Sequence, residues 1–130
     1  MNNQKQQAEQ LNREGIKLVQ VARFDDALAH FQKALELYPD NATLYYNIAN
    51  TLAKLNHHDE AITYFDKSLV LDPNNTNCIY NKANSLSYQG KSIEAITFYE
   101  LVIKLDPRFS SAFYNKANEL KKLEKYEEAL

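Results

Sequence analysis

Apolar residues recur along the chain at intervals of three and four positions, with polar residues between them. One run comprises Tyr45, Ile48, Ala49 and Leu52, and the next comprises Ala61, Ile62, Phe65 and Leu69. This interval places the apolar side chains on one face of an α-helix. The pattern therefore predicts a series of amphipathic helices that pair through their apolar faces.

The helical pattern itself repeats with a period of 34 residues. Several columns of like residues share this spacing: Pro39, Pro73 and Pro107; Ala27, Ala61, Ala95 and Ala129; Phe31, Phe65 and Tyr99; Leu18, Leu52, Leu86 and Leu120; and Gly15, Ala49, Ala83 and Ala117. A fixed period of this length is typical of repeat architectures, in which each repeat buries its apolar face against its neighbours. We expect one array over residues 1–130, with repeats at 8–41, 42–75 and 76–109 and a truncated fourth at 110–130.

Each repeat is predicted to contain two helices. The breaks between them are expected at residues 21–24, 56–58, 90–92 and 124–126. Carboxylates follow each break, where the positive end of a helix dipole favours them. Each second helix is expected to stop at a proline, which has no amide hydrogen with which to continue the helix. Small residues on the facing helices allow close approach, and large aromatic residues fill the space beside them.

The order of small, aromatic and proline columns resembles the tetratricopeptide repeat, and the resemblance covers essentially the whole chain. It implies an all-α fold, a right-handed superhelical α-solenoid of helix-turn-helix repeats. It also implies a protein-interaction scaffold or adaptor whose concave surface, lined by the first helix of each repeat, holds an extended peptide or partner segment. Because many unrelated adaptors use this fold, the resemblance does not name a ligand. Departures are minor: tryptophan is absent, Ser68 and Val102 replace the alanine at Ala34, and His58 occupies a usually aromatic position.

A Tyr-Asn pair followed by another asparagine three positions later recurs on three first helices. Asparagine costs a helix about half a kcal/mol relative to alanine, whereas each amide offers a donor and an acceptor to the backbone of an extended peptide. Tyrosine would add flat contact area. With the lysines of these helices, the predicted peptide-binding residues are Tyr46, Asn47, Asn50, Lys54, Tyr80, Asn81, Asn84, Tyr114, Asn115, Asn118, Lys121 and Lys122.

A structural interpretation of these amides stays open beside the binding one. The first asparagine of each pair could instead bond the backbone of the adjacent repeat, as it would in any array of this family. The second asparagines, Asn50, Asn84 and Asn118, are favoured to face a ligand. The first repeat lacks the motif, with Asn12, Arg13 and Ile16 in its place, so we expect any groove to run from Tyr46 onward.

Charge suggests which partner would fit. The net charge of -2 gives no global positive field for nucleic acid. After residue 41, lysines nevertheless concentrate on first helices, where only Glu119 opposes them, while second helices begin with acidic residues. We expect a neutral to acidic protein or peptide partner, steered by Lys121 and Lys122; a merely solvated charged face is the alternative. The clamp with which some chaperone-binding family members hold a C-terminal carboxylate is not expected, because its cationic positions hold no cation here.

Catalytic, metal and cofactor sites are not expected. Cys78 falls in an apolar column, and the His57-His58 pair lies in a turn without further ligands nearby in sequence. Two glycines cannot build a phosphate-binding loop. A lone cysteine makes no demand for an oxidising compartment, and no stretch approaches the roughly 18 apolar residues of a membrane span. A non-enzymatic cytoplasmic protein without cofactor, metal or membrane contact is predicted.

The truncated fourth repeat is expected to leave an apolar surface partly bare. A stub of a second helix is predicted near Tyr126, too short to cover Phe113, Ala117, Leu120 and Leu123. Either the chain is a piece of a longer repeat protein, which we favour, or this end packs on another copy as a homo-oligomer. An architectural or self-assembling segment with no peptide ligand is therefore the alternative to an adaptor. Regulation of a fused catalytic domain would depend on sequence beyond Leu130.

Overall fold

The structure is a computed structural model that describes residues 3–129; the ends of the predicted array at Met1, Asn2 and Leu130 lie outside the described residues. All regular secondary structure in this range is helical, as the apolar spacing predicts. The helices are α1 (Asn3–Gln20), α2 (Phe24–Leu37), α3 (Ala42–Lys54), α4 (His58–Leu71), α5 (Thr76–Tyr88), α6 (Ser92–Leu105) and α7 (Ser110–Ala129). No helix across residues 3–129 combines the length and the apolarity needed to cross a bilayer.

The chain divides after Pro73 into two compact units. In the first unit, α1 packs on α2, α2 on α3, and α3 on α4. In the second unit, α6 packs against both α5 and α7. The boundary falls near the end of the second predicted repeat, in the polar turn that follows a proline. A single array over residues 1–130 stays a prediction.

The turns inside the first three repeats share one backbone device. Ala22, Asn56 and Gly90, which lie 34 residues apart, all have a positive φ, at 60°, 63° and 80°. This left-handed conformation reverses the chain after the first helix and costs a residue with a Cβ roughly 1–2 kcal/mol. Packing of the second helix onto the first offsets that cost. The predicted breaks in these three repeats are confirmed to within about a residue.

The fourth predicted break, at residues 124–126, is wrong. Helix α7 continues through Glu124 to Ala129, seven residues beyond the point equivalent to the end of α5 at Tyr88. Glu124 occupies the column of the three left-handed residues. Glu124 keeps the right-handed helical conformation, which avoids the cost of about 1–2 kcal/mol that a residue with a Cβ meets in the left-handed region.

The interior is formed by two sets of residues that recur every 34 positions, one of small residues and one of large aromatic residues. Ala27, Ala61 and Ala95 are fully buried, and the aromatic side chains Phe31, Phe65 and Tyr99 are at most 1% exposed. Gly15 shows how tight this packing is, because a Cβ built there would lie 2.5–2.9 Å from three ring atoms of Phe31. The first repeat therefore requires glycine where the second and third have alanine.

Polar residues close the helix ends. The side-chain Oδ1 of Asn41 accepts a hydrogen bond from the Leu44 amide at 3.2 Å, and Asn75 caps α5 in the same way through Cys78 at 3.1 Å. These bonds satisfy amides that lack a partner in the first turn of a helix. Second helices end two residues before each proline, at Leu37, Leu71 and Leu105. The predicted proline stops are thus confirmed.

Candidate functional site

A hollow of about 640 Å³ opens in the second unit. Side chains from α5, α6 and α7 line it, and most of them are polar or aromatic. They are Tyr80, Asn84, Ser87, Tyr88, Tyr99, Asn115, Asn118, Glu119, Lys121, Lys122 and Lys125. A concave surface with several convergent polar groups is the usual form of a ligand site.

A hydrogen-bond network fixes the amides at the floor of this hollow. The Asn115 Nδ2 donates to the Tyr80 hydroxyl at 2.8 Å and to the Asn84 Oδ1 at 3.1 Å. The Tyr99 hydroxyl donates to the same Asn84 oxygen. Two donors on that oxygen set the orientation of the Asn84 amide, since the nitrogen could not accept them. Asn84 therefore has N–H groups, rather than its oxygen, to offer a ligand.

The two tyrosines of the network are held rigidly. The Tyr80 ring contacts Tyr99 and Phe109, with centroids 5.9 and 4.8 Å apart. Burial, and next the negative charge of Glu119, raise the pKa of Tyr99 well above the ordinary 10.0. The Tyr99 hydroxyl thus keeps its proton at neutral pH and remains a donor to Asn84.

Glu119 places a negative charge at the base of the hollow, where its side chain is only 2% exposed. Its Oε2 accepts a hydrogen bond from Ser92 Oγ at 2.8 Å, and its Oε1 lies 3.4 Å from Lys122 Nζ. Burial raises the pKa of Glu119, but hydrogen bonds from Ser87 and Ser92 and the charge of Lys122 outweigh it. The pKa is therefore lowered from its ordinary 4.5, and the carboxylate is ionised at neutral pH.

Three lysines of α7 are among the lining side chains. Lys121 and Lys125 are exposed, and Lys122 Nζ also lies 3.3 Å from Ser87 Oγ. Glu119 is the one acid among the lining side chains, and Lys122 already compensates it. The mouth of the hollow is thus net positive, in a chain whose overall charge is -2.

Six of the predicted binding residues line this hollow: Tyr80, Asn84, Asn115, Asn118, Lys121 and Lys122. Asn81 and Tyr114 lie on the same helices but are not among the lining side chains, and Tyr114 is 69% exposed. Asn115 bonds the preceding repeat, as the structural alternative to ligand binding predicts. Its partners there, however, are side chains rather than backbone groups. Asn118 is half-buried in the lining and makes no hydrogen bond to another side chain of residues 3–129.

The predicted residues of the first unit are arranged differently. Tyr46 packs its ring 6.2 Å from that of Phe65, and Asn47 donates a 2.7 Å hydrogen bond to Asn12 of the first repeat. Asn50 is half-buried and Lys54 is exposed. A smaller hollow of about 190 Å³ in this unit is lined by none of the four predicted residues; its lining is Ala8, Glu9, Asn12, Asn41, Thr43 and Leu44.

Five lining residues were not predicted: Ser87, Tyr88, Tyr99, Glu119 and Lys125. Tyr99 carried a usable signal, because it replaces phenylalanine in a buried column and its added hydroxyl needs a partner. Glu119 carried a weaker signal: Thr51 and Ser85 of its column are buried, whereas Lys17 of the same column is exposed.

The residues considered for catalysis or metal binding lie elsewhere. Cys78 is fully buried in α5, and His57 and His58 lie where α4 begins. Histidine, cysteine, aspartate and glutamate side chains form no group of three or more able to hold a metal ion within the described part of the chain.

Comparison with known families identifies the repeat. One tetratricopeptide repeat profile matches residues 12–76, and a second matches residues 64–97 and 98–130. The chain belongs to the tetratricopeptide repeat family. Tetratricopeptide repeats are typically non-catalytic, and this chain is a protein-interaction repeat domain. No curated protein matches the chain significantly.

Solved structures share the fold. The first tetratricopeptide unit of Spaghetti (RPAP3), bound to the HSP90 peptide SRMEEVD, superimposes with a TM-score of 0.87 at 23% identity, covering 91% of this chain and 94% of that one. The Arabidopsis OM64 TPR domain gives 0.88 at 18% identity over 92% and 98%. MamA gives 0.84 at 20% identity over 88% and 67%. These likenesses confirm the predicted all-α helical repeat solenoid.

Proposed function

We propose that this tetratricopeptide repeat chain is an adaptor that holds an extended, neutral to acidic peptide segment of a partner protein. The hollow of the second unit is the binding site, and Asn84, Asn115, Asn118 and Lys121 are the residues that contact the ligand. The observation that carries the proposal is Asn118, a half-buried amide in a concave surface with no side-chain partner among residues 3–129.

Amide geometry favours recognition of a peptide backbone. Asn84 can present only N–H donors, because its oxygen already accepts from Tyr99 and Asn115. Asn118 presents both a donor and an acceptor. A segment of extended chain offers carbonyl and amide groups that suit this pair whatever its side chains are.

Charge supplies the preference for acidic segments. Lys121, Lys122 and Lys125 line the hollow with exposed side chains, whereas Glu119 is buried and accepts a hydrogen bond from Ser92. An acidic side chain of the ligand would meet the lysines first, and a basic one would be repelled. The likeness to the Spaghetti unit is in keeping with this preference, since the peptide bound there, SRMEEVD, has three acidic residues.

A selected peptide tests the proposal. A random peptide library would be panned on the intact chain, and the enriched peptide labelled for fluorescence anisotropy. Asn118→Ala should weaken binding about fivefold, because a hydrogen bond is worth about 1 kcal/mol. Lys121→Ala should weaken it several-fold at low salt and less at high salt. Alanine favours the helix at both positions, so loss of folding would not explain a loss of binding.

Lys104→Ala is the matched control, because Lys104 is an exposed lysine on α6 that does not line the hollow. Its affinity should stay within about twofold of the parent chain. Enriched peptides that are basic, or that bind the Asn118→Ala and Lys121→Ala variants as well as the parent, would refute the proposal. A panning experiment that enriches nothing would favour the architectural alternative.

We also place the adaptor in the cytoplasm. Its one cysteine is buried, and the described residues contain no disulfide. Fluorescence microscopy of the tagged chain in its native cell would test the location.

A further inference from the structure

Helix α6 packs on α5 and α7 and leaves one of its sides exposed. Apolar residues follow one another along this side every four positions, and two charged residues accompany them. Ile93, Leu101 and Leu105 are 70%, 38% and 39% exposed. Residues at this spacing are neighbours on a helix surface, so they form one continuous face. We name it the α6 face, and its residues are Ile93, Glu94, Thr97, Leu101, Lys104 and Leu105.

The same side of the other second helices is charged. The residues of α2 and α4 that are equivalent to Ile93 and Leu101 are all exposed, and they are Asp25, Asp59, Lys33 and Lys67. Helix α2 keeps its two charges exposed although a complete repeat, α3 with α4, follows it. A following repeat therefore does not cover this side. Large apolar residues at two positions that are charged in α2 and α4 indicate that α6 makes a contact that α2 and α4 do not make.

The α6 face is distinct from the ligand site. Tyr99 is the residue of α6 that lines the hollow. At 100° per residue, it lies about 160° around the helix from both Thr97 and Leu101. A partner on the α6 face would therefore leave the hollow accessible.

We propose that the α6 face is the contact surface of a homodimer, in which the α6 helices of two copies pack antiparallel. The twofold axis passes between Thr97 and Leu101, at the level of Tyr99. The occupant is a second copy of this chain. The proposal does not rest on peptide binding.

Charge complementarity selects the antiparallel copy. Glu94 lies five residues before Tyr99, and Lys104 lies five residues after it. An antiparallel pair centred at this level sets Glu94 opposite Lys104 of the partner subunit, and the symmetry makes this contact twice. The same register sets Ile93 opposite Leu105 of the partner subunit. A parallel pair would instead set glutamate against glutamate and lysine against lysine.

The polar residue at the centre of the face does not oppose the contact. Thr97 lies there, opposite Leu101 of the partner subunit. Its Oγ1 donates a hydrogen bond to the Ile93 carbonyl oxygen of the same helix at 3.2 Å. Burial of Thr97 in a dimer would therefore leave no hydroxyl donor unpaired. In α2 and α4 the central position of Leu101 holds a lysine, whose charge would have to be desolvated in the same contact.

The size of the face sets the expected affinity. From Ile93 to Leu105 the helix rises about 18 Å at 1.5 Å per residue. One pair of helices in contact over this length buries less than the roughly 1,200 Å² at the lower limit of stable specific interfaces. We expect a weak dimer with a dissociation constant on the order of 100 μM. Sedimentation equilibrium of the intact chain between about 10 μM and 1 mM should show a monomer that converts to a dimer.

Exchange of the apolar residues tests the surface. A variant with Ile93→Asp and Leu101→Lys gives α6 the residues that α2 and α4 have at these positions. It should weaken the dimer more than tenfold, because two charges would be desolvated in each copy. The fold tolerates these residues in α2 and α4, and circular dichroism would verify that the helices are intact. The matched control, Asp25→Asn with Lys33→Gln, changes the equivalent positions of α2 and should leave the dissociation constant unchanged.

Charge reversal tests the orientation of the two helices. Glu94→Lys and Lys104→Glu should each weaken the dimer about tenfold at low ionic strength, because each sets like charges together at two symmetric contacts. The double variant with both changes should restore the parent dissociation constant to within about threefold.

Cross-linking tests the register independently. Thr97→Cys should give a covalent dimer with a short bismaleimide, because the two Thr97 positions lie close to the twofold axis. Thr63→Cys, at the equivalent exposed position of α4, is the matched control and should not. The native Cys78 is fully buried and serves as the unreactive background in both variants.

Several results would overturn the proposal. A chain that stays monomeric up to about 1 mM, or a dimer that Ile93→Asp with Leu101→Lys leaves unchanged, would exclude the α6 face. Failure of the double charge reversal to recover, or equal cross-linking through Thr63→Cys, would exclude the antiparallel register. A monomer that instead sediments with phosphatidylcholine vesicles, and loses this binding with the same apolar exchange, would show that a lipid surface is the occupant.

Discussion

Gly15→Ala gives a sharp test of the packing, because two physical effects act on it with opposite sign. Alanine favours a helix over glycine by about 1 kcal/mol, so propensity alone predicts a more stable protein. The added methyl group, however, would lie 2.5 Å from Phe31 Cε1 and within 2.9 Å of two further ring atoms. Carbon atoms pack at about 3.5–4.0 Å, so the ring has to move by about 1 Å.

The magnitude follows from the burial of that ring. Phe31 is 1% exposed, and overpacking at such a site costs about 1–3 kcal/mol. Three close contacts with a rigid ring place the cost in the upper half of this range. After subtracting the gain in propensity, we expect a net loss of about 1–2 kcal/mol. Urea unfolding followed by circular dichroism at 222 nm would measure the change in the free energy of unfolding.

Two further variants complete the test. Phe31→Leu should partly rescue Gly15→Ala, giving a favourable coupling of about 1 kcal/mol in a double-mutant cycle. Ala49→Gly, the converse change at the same column, should cost about 2 kcal/mol through lost propensity and a lost buried methyl group. If Gly15→Ala proves as stable as the parent chain, or the coupling is zero, the packing argument fails.

Three further predictions concern stability. Phe65→Ala should lower the free energy of unfolding by about 3–5 kcal/mol, since the ring is fully buried; urea titration would show it, and a loss below about 1 kcal/mol would contradict it. Ser92→Ala should cost about 1–3 kcal/mol by removing a donor to the buried carboxylate of Glu119, and should raise the pKa of that carboxylate, which NMR titration would detect. Because the folded pKa of Glu119 is lowered, its stabilising contribution is present above the ordinary value of 4.5 and lost as pH falls through the folded pKa. Glu119→Gln should therefore reduce the fall in melting temperature as the pH drops below about 4.5, and an unchanged slope would count against this assignment.

The helices and three of the four turns could be predicted because residues of the same type pack at equivalent positions in each repeat. Ala27, Phe31 and Pro39 have equivalents in the following repeats, and spacing alone identifies their roles. The turn at residues 124–126 could not be predicted in this way. Glu124 shares its column with Ala22, Asn56 and Gly90, but a left-handed residue there also needs a second helix that packs onto the first.

Prediction of the candidate site was partial for a related reason. Periodicity identified Asn84 on one first helix and Asn115 and Asn118 on the next as candidate binding residues, and all three line a common hollow. It could not identify Glu119 as buried and ionised, because this depends on Ser92, which is 27 residues away in sequence and on another helix. A charge that depends on a distant hydrogen bond leaves no trace in the spacing of apolar residues.

The amide bonds between neighbouring repeats have a consequence for changing what the protein binds. Asn47 and Asn115 each find a partner 35 residues earlier, but the partner is an amide in one case, Asn12, and a phenol in the other, Tyr80. A substitution at Tyr80 would therefore orphan a donor in the following repeat as well as alter its own surface. Experiments that aim to change the ligand specificity should therefore randomise the two residues of such a pair together rather than one at a time.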